Sequence, residues 1–190
     1  MKLLFVGPPG AGKGTQAARV ADRLGIPHIS TGDMFRDHVS RGTGLGLRVD
    51  SIMKAGDYVP DEITVEMLRE RIAEPDAADG FILDGFPRTE GQVEALDGLI
   101  GADGLDAVLV LEVDEDALVE RLLARGRADD TEDTIRNRFK VYQEQTAPLL
   151  DIYNSRGIVV TIDGVGEVDE VTDRILSALT EYQANSGSLQ

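Results

Sequence analysis

Gly7-Pro8-Pro9-Gly10-Ala11-Gly12-Lys13-Gly14-Thr15 lies between a short apolar run, Leu3-Leu4-Phe5-Val6, and a segment whose apolar residues Ala17, Val20, Ala21 and Leu24 recur at helical spacing. A buried strand, a glycine-rich turn and a helix, in that order, are the setting of a phosphate-binding loop. Gly7, Gly10 and Gly12 relieve Cβ crowding, so successive backbone N–H groups can face one anion, and the start of the helix adds its positive dipole end. Lys13 supplies a mobile point charge. The pattern G-x-x-x-x-G-K-[ST] is met except at its last position, where Gly14 stands and Thr15 comes one residue later. A hydroxyl directly after the lysine normally binds Mg²⁺. Its absence shifts the expected metal contact to phosphates and water, with Thr15 contributing to phosphate binding. A plain glycine-rich turn with an exposed lysine is the alternative, and the flanking strand and helix weigh against it.

The chain has 190 residues, of which 42% are apolar, enough for one domain with a substantial core. Cysteine is absent, which excludes disulfides and thiolate metal sites, and His28 and His38 are too isolated to form a metal constellation. Both histidines read as structural or surface residues. No apolar run reaches the length of a membrane span and Met1-Lys2 leads directly into a strand, so the expected compartment is the cytoplasm, with no membrane partner. Acidic residues outnumber basic ones by 35 to 19, for a net charge of −16, a field hostile to nucleic acid. A small phosphorylated ligand remains compatible with that field if basic residues converge locally.

Strand and helix patterns alternate from the loop onward, which places the chain in the α/β class. Gly25 reads as a helix stop, Ile26–Ser30 as a second strand, and Ser30-Thr31-Gly32-Asp33 as a helix cap. Gly42, Gly44 and Gly56 then break the chain so often that residues 30–59 read as a small helical insertion with hinges. Asp61-Glu62 opens an amphipathic helix with Val65, Leu68 and Ile72 on one face, and 75–80 is a loop. The apolar strand Phe81-Ile82-Leu83 ends in Asp84, as in phosphate-loop proteins that hold a hydrated metal there, although a turn or cap role is the competing reading. Gln92, Val93 and Leu96 belong to another helix, Ala107–Val113 to a strand, and Asp114-Glu115-Asp116 to a helix start. Along that helix Arg121 and Arg125 lie one turn apart. Asp130 or Thr131 caps the next helix, with Ile135, Phe139 and Tyr142 as its apolar stripe. Arg138 lies within roughly 60° of that stripe and Arg136 roughly 100° away. Arg138 therefore needs either a neighbouring carboxylate or an anionic ligand. Gly157–Asp163 is a final strand, Val168, Val171, Ile175 and Leu179 mark a last helix, and 184–190 reads as a frayed tail.

The stretches GPPGAGKGTQ (7–16), ISTGDMFR (29–36), AGDYVPDE (55–62), GFILDGFPRTEGQ (80–92) and GRADDTEDTIRNRF (126–139) together resemble the adenylate kinases, over nearly the whole length of the chain. The resemblance implies a P-loop NTPase three-layer fold with a five-stranded parallel sheet. It divides the chain into a core (1–29, 60–124 and 132–183), an AMP-binding insertion (30–59) and a short lid (125–131). It also implies reversible transfer of the terminal phosphoryl group of Mg-ATP to AMP, giving two ADP. By the same resemblance, Gly10, Ala11, Gly12, Lys13, Gly14, Thr15, Arg121, Arg125 and Gly166 belong to the ATP site. The AMP site receives Thr31, Arg36, Asp57, Tyr58, Val59, Gly85, Phe86, Pro87, Arg88, Gln92, Arg127 and Arg138. Asp84 is the water-mediated contact for Mg²⁺. Longer lids in the family sometimes hold zinc through cysteines; this short, cysteine-free connection implies no zinc. The implied partners are ATP, AMP and ADP, and the implied state is a monomer.

Two polyphosphates repel at the distance in-line transfer requires, and Lys13, Arg36, Arg88, Arg125, Arg127 and Arg138 are the cations expected to offset that repulsion and carry catalysis. Arginine suits the task because its planar fork holds two phosphate oxygens at once. A UMP/CMP kinase is the nearest competing reading; Thr31 and Gln92, a hydroxyl and a primary amide able to meet a purine edge, favour AMP. A GTPase-like switch lacks an N-K-x-D sequence here, and a nucleotide-sensing module has no use for a second, arginine-rich site.

Overall fold

The computed structural model describes residues 1–127 and 130–187. Strands β1 (Lys2–Val6), β2 (His28–Ser30), β3 (Phe81–Asp84), β4 (Ala107–Glu112) and β5 (Val159–Asp163) form one parallel sheet in the order β2-β3-β1-β4-β5. Parallel neighbours need crossovers, and helices supply them. These are α1 (Lys13–Leu24), α2 (Thr31–Ser40), α3 (Gly44–Ala55), α4 (Asp61–Ile72), α5 (Glu90–Ile100), α6 (Glu115–Arg125), α7 (Glu132–Val141) and α8 (Leu149–Ser155); α9 (Val168–Gly187) comes after the last strand. The chain thus builds the expected α/β fold with five parallel strands.

Alternation along β1 divides the core into two layers, because successive strand side chains point to opposite faces. Leu3 and Phe5 pack with Ala17 and Val20 of α1 and with Ile175 and Leu179 of α9. Leu4 and Val6 pack with Leu68 of α4, Val93 and Leu96 of α5 and Tyr153 of α8. Both faces of β1 are covered, which is why it reads as an unbroken apolar run. Each such buried side chain contributes about 1.5–3 kcal/mol, against about 0–1 kcal/mol for an exposed ion pair. The layers therefore hold the fold, and the charges at its edge are left for ligands.

The strand order reverses at β1, with β3 on one side and β4 on the other. Crevices for ligands form at the carboxyl ends of strands at such a reversal. Helices α2 and α3 pack on each other, and Phe35 and Val49 join Val59 and Met67 in a separate small core.

Several boundaries differ from the sequence reading. Strand β2 begins at His28, after Pro27, which has no N–H to give the sheet. The 75–80 loop contains a 3₁₀ turn at Pro75–Ala77. Of the stripe expected on α4, only Leu68 is fully buried, while Met67 turns toward the α2–α3 core. Thr131, not Asp130, caps α7, accepting from the Thr134 N–H. Residues 184–187 of the tail expected to fray instead continue α9, which runs to Gly187 with no breaker ahead of that glycine. Residues 188–190, and Ala128 and Asp129 of the expected lid, lie outside the described residues. Among the described residues no helix is long and apolar enough to cross a membrane.

Candidate active site

Between β1 and α1 the backbone curls around an open centre. Gly10 has φ +83°, and a Cβ there would sit 2.8 Å from the Leu118 carbonyl oxygen and 3.0 Å from Leu122 Cγ of α6, so only glycine fits. Gly12, the N-cap of α1, brings no side-chain acceptor, and the first turn holds no acidic residue. Helices α2, α3, α5 and α7, by contrast, are capped by Ser30, Thr43, Thr89 and Thr131. The leading N–H groups of α1 are left for an anion. Lys13 Nζ donates to the Gly7 and Pro8 carbonyls of its own loop, at 2.7 and 2.9 Å. Burial lowers its pKa to about 8; the Asp84 carboxylate opposes that shift, and Arg88 and Arg125 reinforce it. An anion entering the loop would restore the solvation this ammonium has lost.

Asp84 ends β3 beside that loop and is 8% exposed. Burial pushes its carboxyl up, but a hydrogen bond with His28 and the charges of Lys13, His28 and Arg88 outweigh burial and hold it below the usual range. His28 Nε2 lies 3.3 Å from Asp84 Oδ2. A Cβ on Gly14 would stand 3.4 Å from the same oxygen, so the position where the P-loop pattern calls for a hydroxyl borders this carboxylate. Among the described residues no group of three or more His, Cys, Asp or Glu is placed to hold a metal. One anionic carboxylate facing the phosphate loop fits Mg²⁺, which keeps several waters and takes its remaining ligands from substrate phosphates.

The arginines occupy the opposite wall, gathered by two carboxylates. Asp33 accepts from Arg36 and lies 3.6 Å from Arg127 Nη2. Asp130, whose side chain is 1% exposed, takes the Arg125 fork at 2.9 and 2.7 Å and Arg138 Nη1 at 2.9 Å. Burial raises the Asp130 carboxyl, and Arg125, the Arg127 N–H and Arg138 together hold it below the ordinary range. Burial and the neighbouring charges of Arg36 and Arg125 lower the Arg127 pKa, as expected where cations crowd.

Between these walls lies a turn built on Gly85, at φ +81°, where a Cβ would meet Arg88 Nη2 at 2.7 Å and Thr31 Oγ1 at 3.0 Å. The next peptide bond, Phe86–Pro87, is cis. The Gly85 carbonyl accepts from Thr31 Oγ1 at 2.9 Å and from Arg88 Nε at 2.7 Å. Gln92, 2% exposed, is pinned at both ends: Oε1 accepts from the Arg88 N–H and Nε2 donates to Asp61, each at 2.8 Å. Because Asp61 only accepts and the backbone N–H only donates, the amide has one orientation, with one N–H and one lone pair to spare. Every residue assigned to the site by resemblance lines a single cleft of about 790 Å³. That is toward the upper end of the roughly 300–1,000 Å³ seen for small-molecule sites.

The sequence pattern of the family described as "Adenylate kinase" matches residues 5–158. A protein of Nocardia farcinica named adenylate kinase is 58% identical over 181 residues, covering 94% of this chain and 99% of its own length. Adenylate kinases of a Nocardioides species and of Kocuria rhizophila are 59% and 54% identical, each over 94% of this chain and over 97% and 98% of their own. The chain belongs to the adenylate kinase family.

Against the adenylate kinase pattern, the fold brings the P-loop, the Gly85–Arg88 turn and the six cations named from the sequence to one place. Arg121 and Gly166 edge the same cleft; Arg174 donates to the Asp163 and Val165 carbonyls at 2.9 and 2.5 Å, fixing the loop that carries Gly166. Arg138 meets the carboxylate its position demands, Asp130. Arg136 stays outside, paired with Glu132 across one helical turn. Sequence reasoning misses four residues. Asp33 and Asp130 have the local signature of helix caps but gather the arginines, and Asp61, which opens a helix, also aims Gln92. His28, peripheral by its sequence, touches Asp84 across the sheet. A signal exists for Asp130: Arg138, near the apolar stripe of its predicted helix, requires a carboxylate, and Asp130 belongs to the acidic segment that opens that helix.

Proposed function

We propose that this cleft binds Mg-ATP on the P-loop side and AMP against the Gly85–Arg88 turn, and transfers the terminal phosphoryl group between them to give two ADP. The observation that carries the reading is the polarity of the acceptor pocket. Thr31 spends its only proton on the Gly85 carbonyl, so toward a ligand it can only accept. Gln92 has one donor and one acceptor to spare. Adenine offers an amino donor beside a ring acceptor, which matches; uracil would set a carbonyl acceptor against the acceptor-only Thr31. Cytosine presents the same donor–acceptor pair as adenine, and between these two bases membership of the adenylate kinase family favours AMP.

The AMP phosphate is largely a dianion near neutral pH, its second pKa being about 6, so no general base is needed. Arg36, Arg88, Arg127 and Arg138 orient that phosphate, while Lys13 and Arg125 hold the donor chain opposite it. A phosphate oxygen then forms its bond to the terminal phosphorus as the bond to the departing ADP breaks, with the cations matching the charge that moves. Mg²⁺, when bound, neutralises donor phosphate charge, and Asp84 would hold it through water. Lid closure is a property of adenylate kinases taken over with the family; here the α2–α3 pair and residues 125–131 are the elements assigned to it. We place the chain in the cytoplasm, as a monomer acting on ATP, AMP and ADP. The test is a transfer assay with Mg-ATP against AMP, dAMP, CMP, UMP and GMP. ADP formation led by AMP is expected; faster transfer to UMP or CMP overturns the acceptor reading.

A further inference from the structure

Residues Tyr142–Thr146, between α7 and α8, form one π-helical turn, and the Ala147 N–H donates to the Tyr142 carbonyl at 2.9 Å. One extra residue in a turn rotates the downstream residues by about 100° relative to a continuous α-helix, and such turns recur at functional sites. Thr146 lies in this turn, 5% exposed, and its hydroxyl donates to the Arg88 carbonyl at 2.9 Å. A threonine hydroxyl has one proton, so the Tyr58 hydroxyl, 2.7 Å away, is the donor to Thr146. The hydrogen bonds therefore run in one direction, from Tyr58 through Thr146 to Arg88. The ring of the same Tyr58 lies 5.1 Å from the Arg88 guanidinium carbon, within cation–π range. Arg88 is thus fixed at its carbonyl by Thr146, at its N–H by Gln92, at Nε by Gly85 and on its guanidinium face by Tyr58.

We propose that Tyr58 and Thr146 are positioning residues, which preset the plane and backbone of Arg88 for the acceptor phosphate before AMP arrives. The inference rests on the acceptor-site reading above; it gives Tyr58, so far only a lining residue, a role exerted through Arg88, and it adds Thr146 in the same role. It also makes the 57–59 loop, the Gly85–Arg88 turn and the π-helical turn one mechanical unit. Three segments far apart in the chain then adjust together when a phosphate enters.

The test uses the full chain, with AMP and ATP varied separately. Tyr58→Leu removes both ring and hydroxyl and is expected to lower kcat/KM for AMP about 10-fold. Tyr58→Phe keeps the ring and loses about 2–3-fold, and Thr146→Val loses about 3–10-fold by leaving two polar groups unpaired. KM for ATP stays within about 2-fold of wild type in all three, which a general loss of structure would not spare. In an Arg88→Ala background, assayed at high enzyme concentration, Tyr58→Leu is expected to cost less than about 2-fold more, because its target is gone. Wild-type kcat/KM in Tyr58→Leu, or an equal loss with and without Arg88, overturns the proposal. Should Thr146→Val fail to fold, the half-buried Tyr58 decides the matter alone. Normal AMP turnover in Arg88→Ala would sink the acceptor-site reading itself; a collapse there beside a normal Tyr58→Leu would sink only the positioning role.

Discussion

The two walls of the cleft store positive charge in different ways. On the P-loop side a single ammonium, Lys13, rests on neutral backbone carbonyls, and the rest of the attraction comes from N–H groups at the start of α1. On the opposite wall four guanidiniums are held by two carboxylates, Asp33 and Asp130. The first is a cradle that changes little when an anion enters. The second is a set of ion pairs in which ligand phosphates compete with protein carboxylates. This difference explains how a chain of net charge −16 can receive two polyanions. Exposed pairs such as Arg36–Asp33 contribute about 0–1 kcal/mol, so a phosphate that binds the fork in two places displaces them at little cost. Asp130, buried under Arg125 and Arg138, is not exchangeable in this way and serves as the fixed anchor of the wall.

The largest expected effect comes from removing an arginine of the wall or of the turn between the walls. Arg127→Ala in the wall and Arg88→Ala in the turn should each lower kcat by at least about 100-fold, the usual cost of losing a charge partner in the transition state. Neither should unfold the protein, because the apolar layers on the two faces of the sheet carry the stability. Steady-state kinetics beside far-ultraviolet circular dichroism would check this, and near-normal turnover in either variant would show that the wall is structural.

A smaller effect separates the walls by pH. Lys13 has a pKa lowered to about 8 in the free protein because burial disfavours its charge. A bound phosphate favours the ammonium and raises that pKa, so above about pH 8 donor binding takes up a proton and weakens as pH rises. One unit above the free-protein value, only about a tenth of the protein carries the charged lysine, which predicts roughly a 10-fold weaker affinity for ATP at pH 9 than at pH 7. The arginines keep their charge across this range, so AMP affinity should stay flat. Titration calorimetry in buffers of differing ionisation enthalpy reads both the affinity and the proton. A flat ATP profile would mean that the backbone N–H groups and Arg125 hold the donor without help from Lys13.

The two walls are also unequally legible in the sequence. The cradle is a local object: strand, glycines, lysine and helix come one after another within two dozen residues, and periodicity alone exposes them. Most of the sheet is legible for the same reason, β1, β3, β4 and β5 being short, largely apolar runs with their own stops, whereas β2, His28-Ile29-Ser30, has one apolar residue. The arginine wall joins residues from distant segments, and only resemblance to a family names them together. Its carboxylates stay hidden because Asp33 and Asp130 sit where helix caps belong, and a cap and an ion-pair anchor have the same local signature. The Tyr58–Thr146 contact spans 88 residues, and the π-helical turn that sets it, Tyr-Gln-Glu-Gln-Thr, contains no residue that breaks an α-helix. Gly14 is the reverse case, a visible departure from the loop pattern whose neighbour, the Asp84 carboxylate, emerges only in three dimensions.

The smallest expected effect tests whether the wall's exposed carboxylate competes or preorganises. Asp33, 57% exposed at its side chain, binds Arg36 and reaches Arg127, and burial, which raises its carboxyl, is outweighed by those two cations. If it holds the place of a phosphate, Asp33→Asn spares AMP the cost of displacing it, and the Kd for AMP should fall by about 2–5-fold, the range an exposed pair allows. Affinity for ATP on the cradle side should not move, since Lys13 donates to backbone carbonyls of its own loop, which Asp33 does not touch. Weaker AMP binding would reverse the conclusion: Asp33 would then be aiming the two arginines, and the entropy of ordering them would exceed the cost of displacing a counterion. Calorimetric titration of AMP into the free protein distinguishes the two directly, because the sign of the change, rather than its size, carries the answer.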